Sequence, residues 1–330
     1  MRIGVTYDLR SDYLALGLGE EETAEFDSEV TIAAICGALE ALDHEPVRIG
    51  GIKRLAERLV AGERWDGVFN ICEGLKGVAR EAQVPALLEA YDVPYVFSDP
   101  LTLALALDKG MTKRIVRSAG VPTPDFALVN CADDIGSVDL PFPLFLKPVA
   151  EGSGKGVSAK SRVADRAGLS RVAKDLLARF HQPVLVETFL PGREFTVGIV
   201  GTGEDAAALG VLEVVWTDKA SAHGYGYENK EHFEDKMIYR LAEDRAADEA
   251  ADVALAAWRA LRCRDGGRVD IRFGGDGNAY FLEVNPLAGL NPDRSDLVFI
   301  ARFKGLSYRD LIARILESFV RRHARAGGAD

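Results

Sequence analysis

Cysteine is scarce and scattered. The four thiols of this 330-residue chain, Cys36, Cys72, Cys131 and Cys263, form no Cys-x-x-Cys pair. That argues against zinc or a disulfide framework and leaves buried thiols in a reducing compartment. Positive charge is also in deficit. Lys and Arg number 40 against 51 Asp and Glu, the formal charge is −11, and the basic residues are dispersed. A general nucleic-acid binder is therefore not expected. No apolar run approaches the ~18 residues of a membrane span. The opening MRIGVTYD enters an apolar strand at once rather than through a signal peptide, so the expected location is the cytoplasm. The first strand lacks the Gly-x-Gly-x-x-Gly turn of a dinucleotide site, which weakens an oxidoreductase reading. No biotin-carrier segment is present, which leaves a carboxylase without support.

What is present is ordinary for a globular protein: 48% hydrophobic and 28% charged residues, at a length that suggests two or three domains. Residues 1–98 alternate strands (Ile3–Tyr7, Val47–Ile49, Gly67–Ile71, Tyr95–Phe97) with helices near Ser28–Leu42, Ile52–Val60 and Glu81–Tyr91. This is the signature of a small parallel α/β sheet. Arg10–Phe26 is polar and acidic and reads as a loop at the first strand's carboxyl end, where open α/β sheets hold ligands. Asp27, Ser28 and Glu29 begin a helix, for which N-capping is the simple explanation. The loop 69–80, FNICEGLKGVAR, carries Glu73, Lys76 and Arg80, either as a polar turn or as a substrate-recognition loop.

Pro100–Ala119 reads as one helix bearing Lys109, with a domain boundary near Leu101. A strand over Phe142–Val149 carries Lys147 and is followed by Glu151-Gly-Ser-Gly-Lys-Gly156. Its backbone N–H groups and lysines suit phosphate oxygens, although order and spacing are not those of a Walker A loop. A linker is unexpected between two apolar strands. Val184–Leu190 is a strand ending at Pro191-Gly192; Phe195–Val200 and Leu209–Trp216 continue a second sheet. Thr217–Lys236 reads as a lid or a disordered loop. Helices follow over Leu241–Leu261 and Tyr308–Arg325.

The most informative stretch is Gly267–Leu290. Two alternating runs flank Gly-Gly-Asp-Gly, a hairpin signal. A two-residue turn at Asp276-Gly277 sets Asp270 opposite Glu283 and Arg268 opposite Asn285. It also sends Val269, Ile271, Phe273, Tyr280, Leu282 and Val284 into a core. Opposed carboxylates have Cβ atoms about 4.5–5.5 Å apart and repel, unless a cation sits between them. Asp270, Glu283 and the Asn285 amide oxygen are hard donors suited to Mg²⁺ or Mn²⁺ carrying nucleotide phosphates. A solvated hairpin with salt bridges to Arg268 and Arg272 is the alternative.

Lys109, Lys147, the glycine-rich loop, the Glu187-Thr-Phe-Leu strand and the Asp270/Glu283/Asn285 hairpin occur in one order. Together they resemble the ATP-grasp superfamily, most closely the D-alanine–D-alanine ligase family, over nearly the whole chain. The resemblance implies an N-terminal parallel α/β domain (1–100) and two ATP-grasp subdomains (101–188 and 189–330) that sandwich ATP. It implies that Lys109, Lys147, Glu151 and Ser153 contact phosphates. Glu187, Phe189 and Leu190 would be the adenine hinge, Glu194 the ribose ligand and Lys230 a lid lysine. Asp270, Glu283 and Asn285 would hold two Mg²⁺ ions, while Arg268, Gly289 and Ser153 steady the reacting groups.

The implied reaction is amide formation from a carboxylate and an amine through an acyl phosphate, with small-molecule substrates and a homodimeric assembly. Several positions depart from the family pattern. Asp27 or Glu29 stands where a glutamate holds the first amino group, Glu73 replaces a histidine, and Glu231 replaces the aromatic residue after the lid lysine. Gly154 replaces the second loop serine, and Arg294 or Ser295 stands where a Ser-Leu pair binds the second carboxylate. Arg80 joins Glu73 as a candidate substrate contact. The expectation is a ligase whose substrates need not be two D-alanines. The alternatives are a D-alanine–D-alanine ligase proper, serving the cell wall, or a non-catalytic regulatory ATP-binding protein.

Overall fold

The computed structural model describes residues 1–216 and 237–326, so Lys230, Glu231 and the lid expected over 217–236 lie outside the described residues. Continuous apolar runs place four short strands at the start of the chain: β1 (Arg2–Tyr7), β2 (Glu45–Arg48), β3 (Gly67–Ile71) and β4 (Tyr95–Val96). They form a parallel sheet in the order β2-β1-β3-β4. Parallel strands of this kind are stable only when both faces are covered. Helix α2 (Glu29–Glu40) covers one face with Ile32, Ile35 and Leu39. Helices α3 (Ile52–Val60) and α4 (Gln83–Ala90) cover the other with Leu55, Leu59 and Leu88.

The loop expected over Arg10–Phe26 contains a short helix, α1 (Arg10–Ala15). The single helix expected over Pro100–Ala119 is two, α5 (Pro100–Leu107) and α6 (Lys109–Ser118). Asp108 between them is extended, and its carboxylate accepts from the Met111 N–H at 2.9 Å. An aspartate in the middle of an apolar helical pattern is thus the cap of a second helix.

The second sheet is antiparallel: β5 (Phe126–Val129), β6 (Leu144–Pro148), β7 (Arg162–Val163) and β8 (Val184–Thr188) in the order β5-β8-β6-β7. Helix α7 (Arg166–Phe180) packs Leu169, Val172, Ala173 and Leu176 against it. The third sheet holds β9 (Glu194–Val200), β10 (Ala207–Trp216), β11 (Met237–Leu241), β12 (Gly266–Phe273) and β13 (Ala279–Asn285), in the order β11-β10-β9-β12-β13. Helix α8 (Arg245–Ala260) lies on it through Ala247, Ala250, Ala254, Ala257 and Trp258. Small residues in that stripe let the helix approach closely. Strand β11 and a helix, α9 (Asp296–Phe303), were not foreseen.

The hairpin β12–β13 differs from expectation in an instructive way. Its turn has three residues, with the Gly274 N–H donating to the Asn278 carbonyl at 2.9 Å. Ile271 therefore faces Phe281 and Phe273 faces Ala279. A bulge at Leu282 then restores the expected register, so that Asp270 faces Glu283 and Arg268 faces Asn285. The bulge puts Phe281 in the core in place of Tyr280 and Leu282, which are partly exposed. Its freed backbone groups are taken up nearby. The Phe281 N–H donates to the Pro122 carbonyl at 2.8 Å, and its carbonyl accepts from Thr123 Oγ1 at 2.9 Å.

The last helix, α10 (Tyr308–Ala326), returns to the start of the chain. Leu311, Ile312 and Ile315 join Ile3, Val5 and Phe69 in one core. Asp265, fully buried just before β12, fastens this junction. It accepts from the Phe97 N–H at 2.8 Å, from Ser318 Oγ at 3.0 Å and from Arg322 at 2.8 Å. Asp265→Ala leaves the backbone donor and the guanidinium without their acceptor. It is expected to cost about 3 kcal/mol of stability, read as a lowered midpoint in urea unfolding; a loss below about 1 kcal/mol contradicts this role.

Candidate active site between the second and third sheets

A cleft lies between the second and third sheets, and β12–β13 forms one wall. Arg268, Asp270, Arg272 and Glu283 face it from the third sheet, and Lys147 and Glu187 from the second. Alternation along β12 accounts for the first three. The bulge accounts for Glu283 and Leu282 facing the cleft together.

Opposing carboxylates are held in place by cations on every side. Arg268 donates to both oxygens of Asp270 at 3.1 Å and also reaches Asp296 at 2.9 Å. Thr196 Oγ1 donates to Asp270 at 2.9 Å. Glu283 lies 3.5 Å from Lys147 and 3.6 Å from Lys109. Burial pushes the Asp270 carboxyl up; Arg268 opposes this and Glu283 adds to it, and the balance sits at about 6.

Behind these groups is a lysine network with one member that was not foreseen. Lys113 is fully buried, 2.9 Å from Glu187, with Thr123 Oγ1 at 2.9 Å. It stands one turn after Lys109 on the same face of α6, which is the signal by which it could have been found. Burial lowers its pKa to about 8, against the pull of Glu187. Lys147 shares Glu187 at 3.3 Å; there the two carboxylates Glu187 and Glu283 outweigh burial and hold the ammonium firmly charged. Burial would raise the Glu187 carboxyl, but the two lysines bring it below its ordinary range. The Glu187 side chain is thus occupied with lysines.

Phe189 and Leu190 line the cleft, and Phe189 is flanked by the guanidiniums of Arg162 and Arg272, 4.4 and 5.3 Å from its ring centre. Glu194 also lines it, paired with Arg272 at 3.0 Å. In the glycine-rich loop, Ser153, Gly154 and Gly156 have φ of 52°, 72° and 74°. A Cβ at Gly156 would meet Pro148 at 2.6 Å, so the glycine there is a steric requirement. Glu151 pairs with Lys155 at 2.5 Å and its carbonyl accepts from Lys109 at 2.6 Å.

The cleft is continuous, at Lys109, Ser153, Arg268 and Glu283, with a second cavity that reaches the carboxyl ends of the first sheet. Asp27, Glu73, Gly289 and Arg294 line that cavity, as does Ser295 at the N-cap of α9. Two sequence candidates are elsewhere. Glu29 is exposed and pairs with Arg48 at 2.5 Å, because it sits on the outward face of the first turn of α2. Arg80 does not line the cavity. It is locked behind the wall by Glu25 at 3.0 Å and the Ala150 carbonyl at 3.0 Å. Sequence reading also missed Glu25, Glu81, Thr196 and Asp296, all lining the cavity or the cleft. Thr196 alternates with Glu194 on β9 and was open to the same argument as the hairpin. Nothing in the local sequence singles out Asp296.

The residues fit a hard divalent cation. Asp270, Glu283 and Asn285 project from adjacent strands, and the Asn285 side-chain nitrogen is buried without a hydrogen-bond partner. Turned by half a rotation, that amide offers an oxygen instead. Among the described residues no group of three His, Cys, Asp or Glu could hold a metal alone. Two carboxylates and an amide suit an ion that takes its remaining ligands from phosphate and water, as magnesium does.

Residues 115–317 match the family model described as D-ala D-ala ligase C-terminus. The D-alanine–D-alanine ligase of Cupriavidus taiwanensis is 34% identical over 299 residues, covering 88% of this chain and 87% of that protein. The corresponding protein of Xanthomonas axonopodis pv. citri is 36% identical over 304 residues, covering 88% and 90%. A solved D-alanine–D-alanine ligase of Bacillus anthracis, complexed with ATP, shares the fold with a TM-score of 0.73 over 99% of both chains, at 23% identity. Among the described residues no helix is long and apolar enough to cross a membrane. The chain belongs to the D-alanine–D-alanine ligase family, with the mixed α/β architecture of ATP-grasp proteins, and is an ATP-dependent ligase.

Proposed function

We propose that the chain joins the carboxylate of one amino acid or dipeptide to the amine of another, and that the pair is not two D-alanines. The observation that carries the reading is the division of the site. On the cleft side the carboxylates are ion-paired, whereas on the cavity side Glu73 and Glu81 form no ion pair with any described residue, and Arg80 acts on them only from a distance. The relatives' names favour D-alanine for both substrates. Glu73 weighs against it, because with Asp27 available for the α-ammonium, a carboxylate there asks for a second cationic group, which D-alanine does not carry.

The chemistry follows from the charges. A carboxylate is a poor acylating agent, so its oxygen attacks the γ-phosphorus of ATP and ADP leaves. The amine nitrogen then attacks the acyl carbon, phosphate leaves and the nitrogen loses a proton. Both attacks bring anions or electron pairs toward an anionic centre, which Lys109, Lys147 and Arg268 are placed to offset. Ser153 and the glycine-rich backbone would hold phosphate oxygens, and Phe189, Leu190 and Glu194 would seat the nucleoside. The backbone N–H of Gly289, a residue of the cavity wall, would steady the acyl oxygen. Asp270, Glu283 and Asn285 would hold one or two Mg²⁺ ions, which neutralise phosphate charge when bound. Dependence on ATP and Mg²⁺ supports a cytoplasmic setting.

With ATP, Mg²⁺ and an amino-acid panel including D-alanine, ADP and phosphate are expected in amounts equal to amide product. AMP and pyrophosphate would overturn the reading, and efficient turnover of D-alanine alone would return it to the relatives' substrate. Glu283→Gln is expected to lower kcat/KM by on the order of 100-fold or more. Near-normal kcat at saturating Mg²⁺ would contradict that assignment.

The unpaired carboxylates also make stability depend on pH. Burial raises Asp27 from 3.8 and Glu81 from 4.5, each to about 7, and burial with Glu81, Glu25 and Asp27 nearby raises Glu73 well above its ordinary value. Between their ordinary and raised values the folded chain binds more protons than the unfolded one. These groups therefore favour folding at low pH and cease to as pH rises through about 7. Glu25 and Glu187, shifted downward by cations, do not titrate in that window. The melting temperature of the ligand-free protein should fall as pH rises from the ordinary carboxylate range to about 7, with Asp27 and Glu81 adding no further fall above it, and less steeply in Glu81→Gln. Calorimetry showing the same slope in both proteins would contradict this account.

A further inference from the structure

The cavity wall nearest the first sheet holds more carboxylates than a single α-ammonium can neutralise. Glu73 lies just after β3, and Glu81 lies in the 3₁₀ turn Arg80–Ala82 that leads into α4. Both line the cavity, and neither makes a hydrogen bond or ion pair with any described residue. Burial raises both carboxyls; neighbouring carboxylates add to it, Glu81, Glu25 and Asp27 at Glu73 and Glu25 at Glu81, while Arg80 opposes it at both.

The surrounding cations are already committed. Arg80 is held by Glu25 and the Ala150 carbonyl, and Lys155 by Glu25 and Glu151. Arg10 pairs with Glu20 at 2.5 Å on the outer side of the cavity. Lys109 is tied to Glu283 and the Glu151 carbonyl, and Arg268 to Asp270 and Asp296. Among the described residues lining the cavity the exception is the exposed Arg294, on the wall that carries Asn291 and Ser295, where a substrate carboxylate could reach it. Asp27, assisted by Thr31, is a sufficient partner for one ammonium.

An ordinary zwitterionic amino acid therefore satisfies Asp27 and leaves the Glu73–Glu81 pair facing its side chain. Two half-buried carboxylates with no ion pair among the described residues are costly, and a cationic group delivered between them recovers that cost on binding. Resting on the ligase reading above, we propose that the substrate bound against the first sheet is a diamino acid. Its α-ammonium meets Asp27, and a second ammonium or a guanidinium on its side chain meets Glu73 and Glu81. The carboxylate of the same molecule points to the cleft, toward Arg268 and the phosphate-binding lysines.

The test compares side chains of similar length with and without the terminal charge: ornithine against norvaline, and lysine against norleucine, each in D and L forms. ADP release is followed with ATP and Mg²⁺, first with each amino acid alone and then with each paired with alanine of either hand. The basic member of a pair should have kcat/KM at least about tenfold higher, chiefly through KM, a difference of about 1.4 kcal/mol. In the variant carrying both Glu73→Gln and Glu81→Gln that preference should shrink to about twofold or less. Thermal melting with and without ATP shows that this variant is folded and loaded.

Equal or better turnover of the neutral analogues overturns the proposal and leaves the ligase reading standing; the pair then acts in protonated form as a hydrogen-bond donor. A preference for the basic member that survives intact in the double variant also overturns it. Turnover of no amino acid by a protein that binds ATP overturns the ligase reading, and the proposal with it.

Discussion

Two carboxylates on neighbouring strands, Asp270 and Glu283, are set directly opposite one another. Left alone they would drive the strands apart. The rest of the site can be read as the set of devices that makes the pairing tolerable. Arg268 and Thr196 grip Asp270, while Lys109 and Lys147 approach Glu283. Lys147 also reaches Glu187, and Arg268 also reaches Asp296. On the proposal above, a divalent ion between the two carboxylates would add to the charge these cations already supply.

The same network joins the sheets mechanically. Lys113 spans from Glu187 on β8 to the carbonyl of Phe281 at the bulge of β13, 3.4 Å away. Thr123 supports both ends of that link. Moving the second sheet relative to the hairpin would break contacts that are buried and charged. Those cost several kcal/mol when one partner is lost. The cleft walls are therefore fixed to each other at this corner. The cavity side is held instead by the core shared between the first sheet and α10.

The hairpin also shows what can be read from sequence and what cannot. The pairing of Asp270 with Glu283 was legible because period-2 alternation constrains every position on a face. The turn was read one residue short, and the bulge at Leu282 adds one residue back, so the register at the site survived an error in the loop. Alternation gave no hint of the bulge, which depends on Pro122 and Thr123 being at hand to take the freed backbone groups. Glu29 and Arg80 were misplaced for a related reason. The sequence names the charged residues of a loop, but which of them turns toward the cavity depends on partners elsewhere in the chain. Arg48 and Glu25, those partners, lie tens of residues away. Lys113 is the converse, since its spacing from Lys109 was visible and only its burial was not.

The two halves of the site differ because their tasks differ. Phosphoryl transfer from ATP presents the same oxygens whatever acid is activated, so the groups that face it must balance charge in one fixed way. Every carboxylate on the cleft side is accordingly paired, and its pairs are shared between sheets. The amino-acid side faces whatever the reaction is required to join, and specificity there consists of charges left for the substrate to neutralise. A pair such as Glu73 and Glu81, neither ion-paired with any described residue, would be a defect in a structural core. In a cavity that opens onto the phosphate-binding cleft, it is a statement about the ligand. On the proposal above, the carboxylates gathered on this one wall are what a second cationic group of the substrate would neutralise.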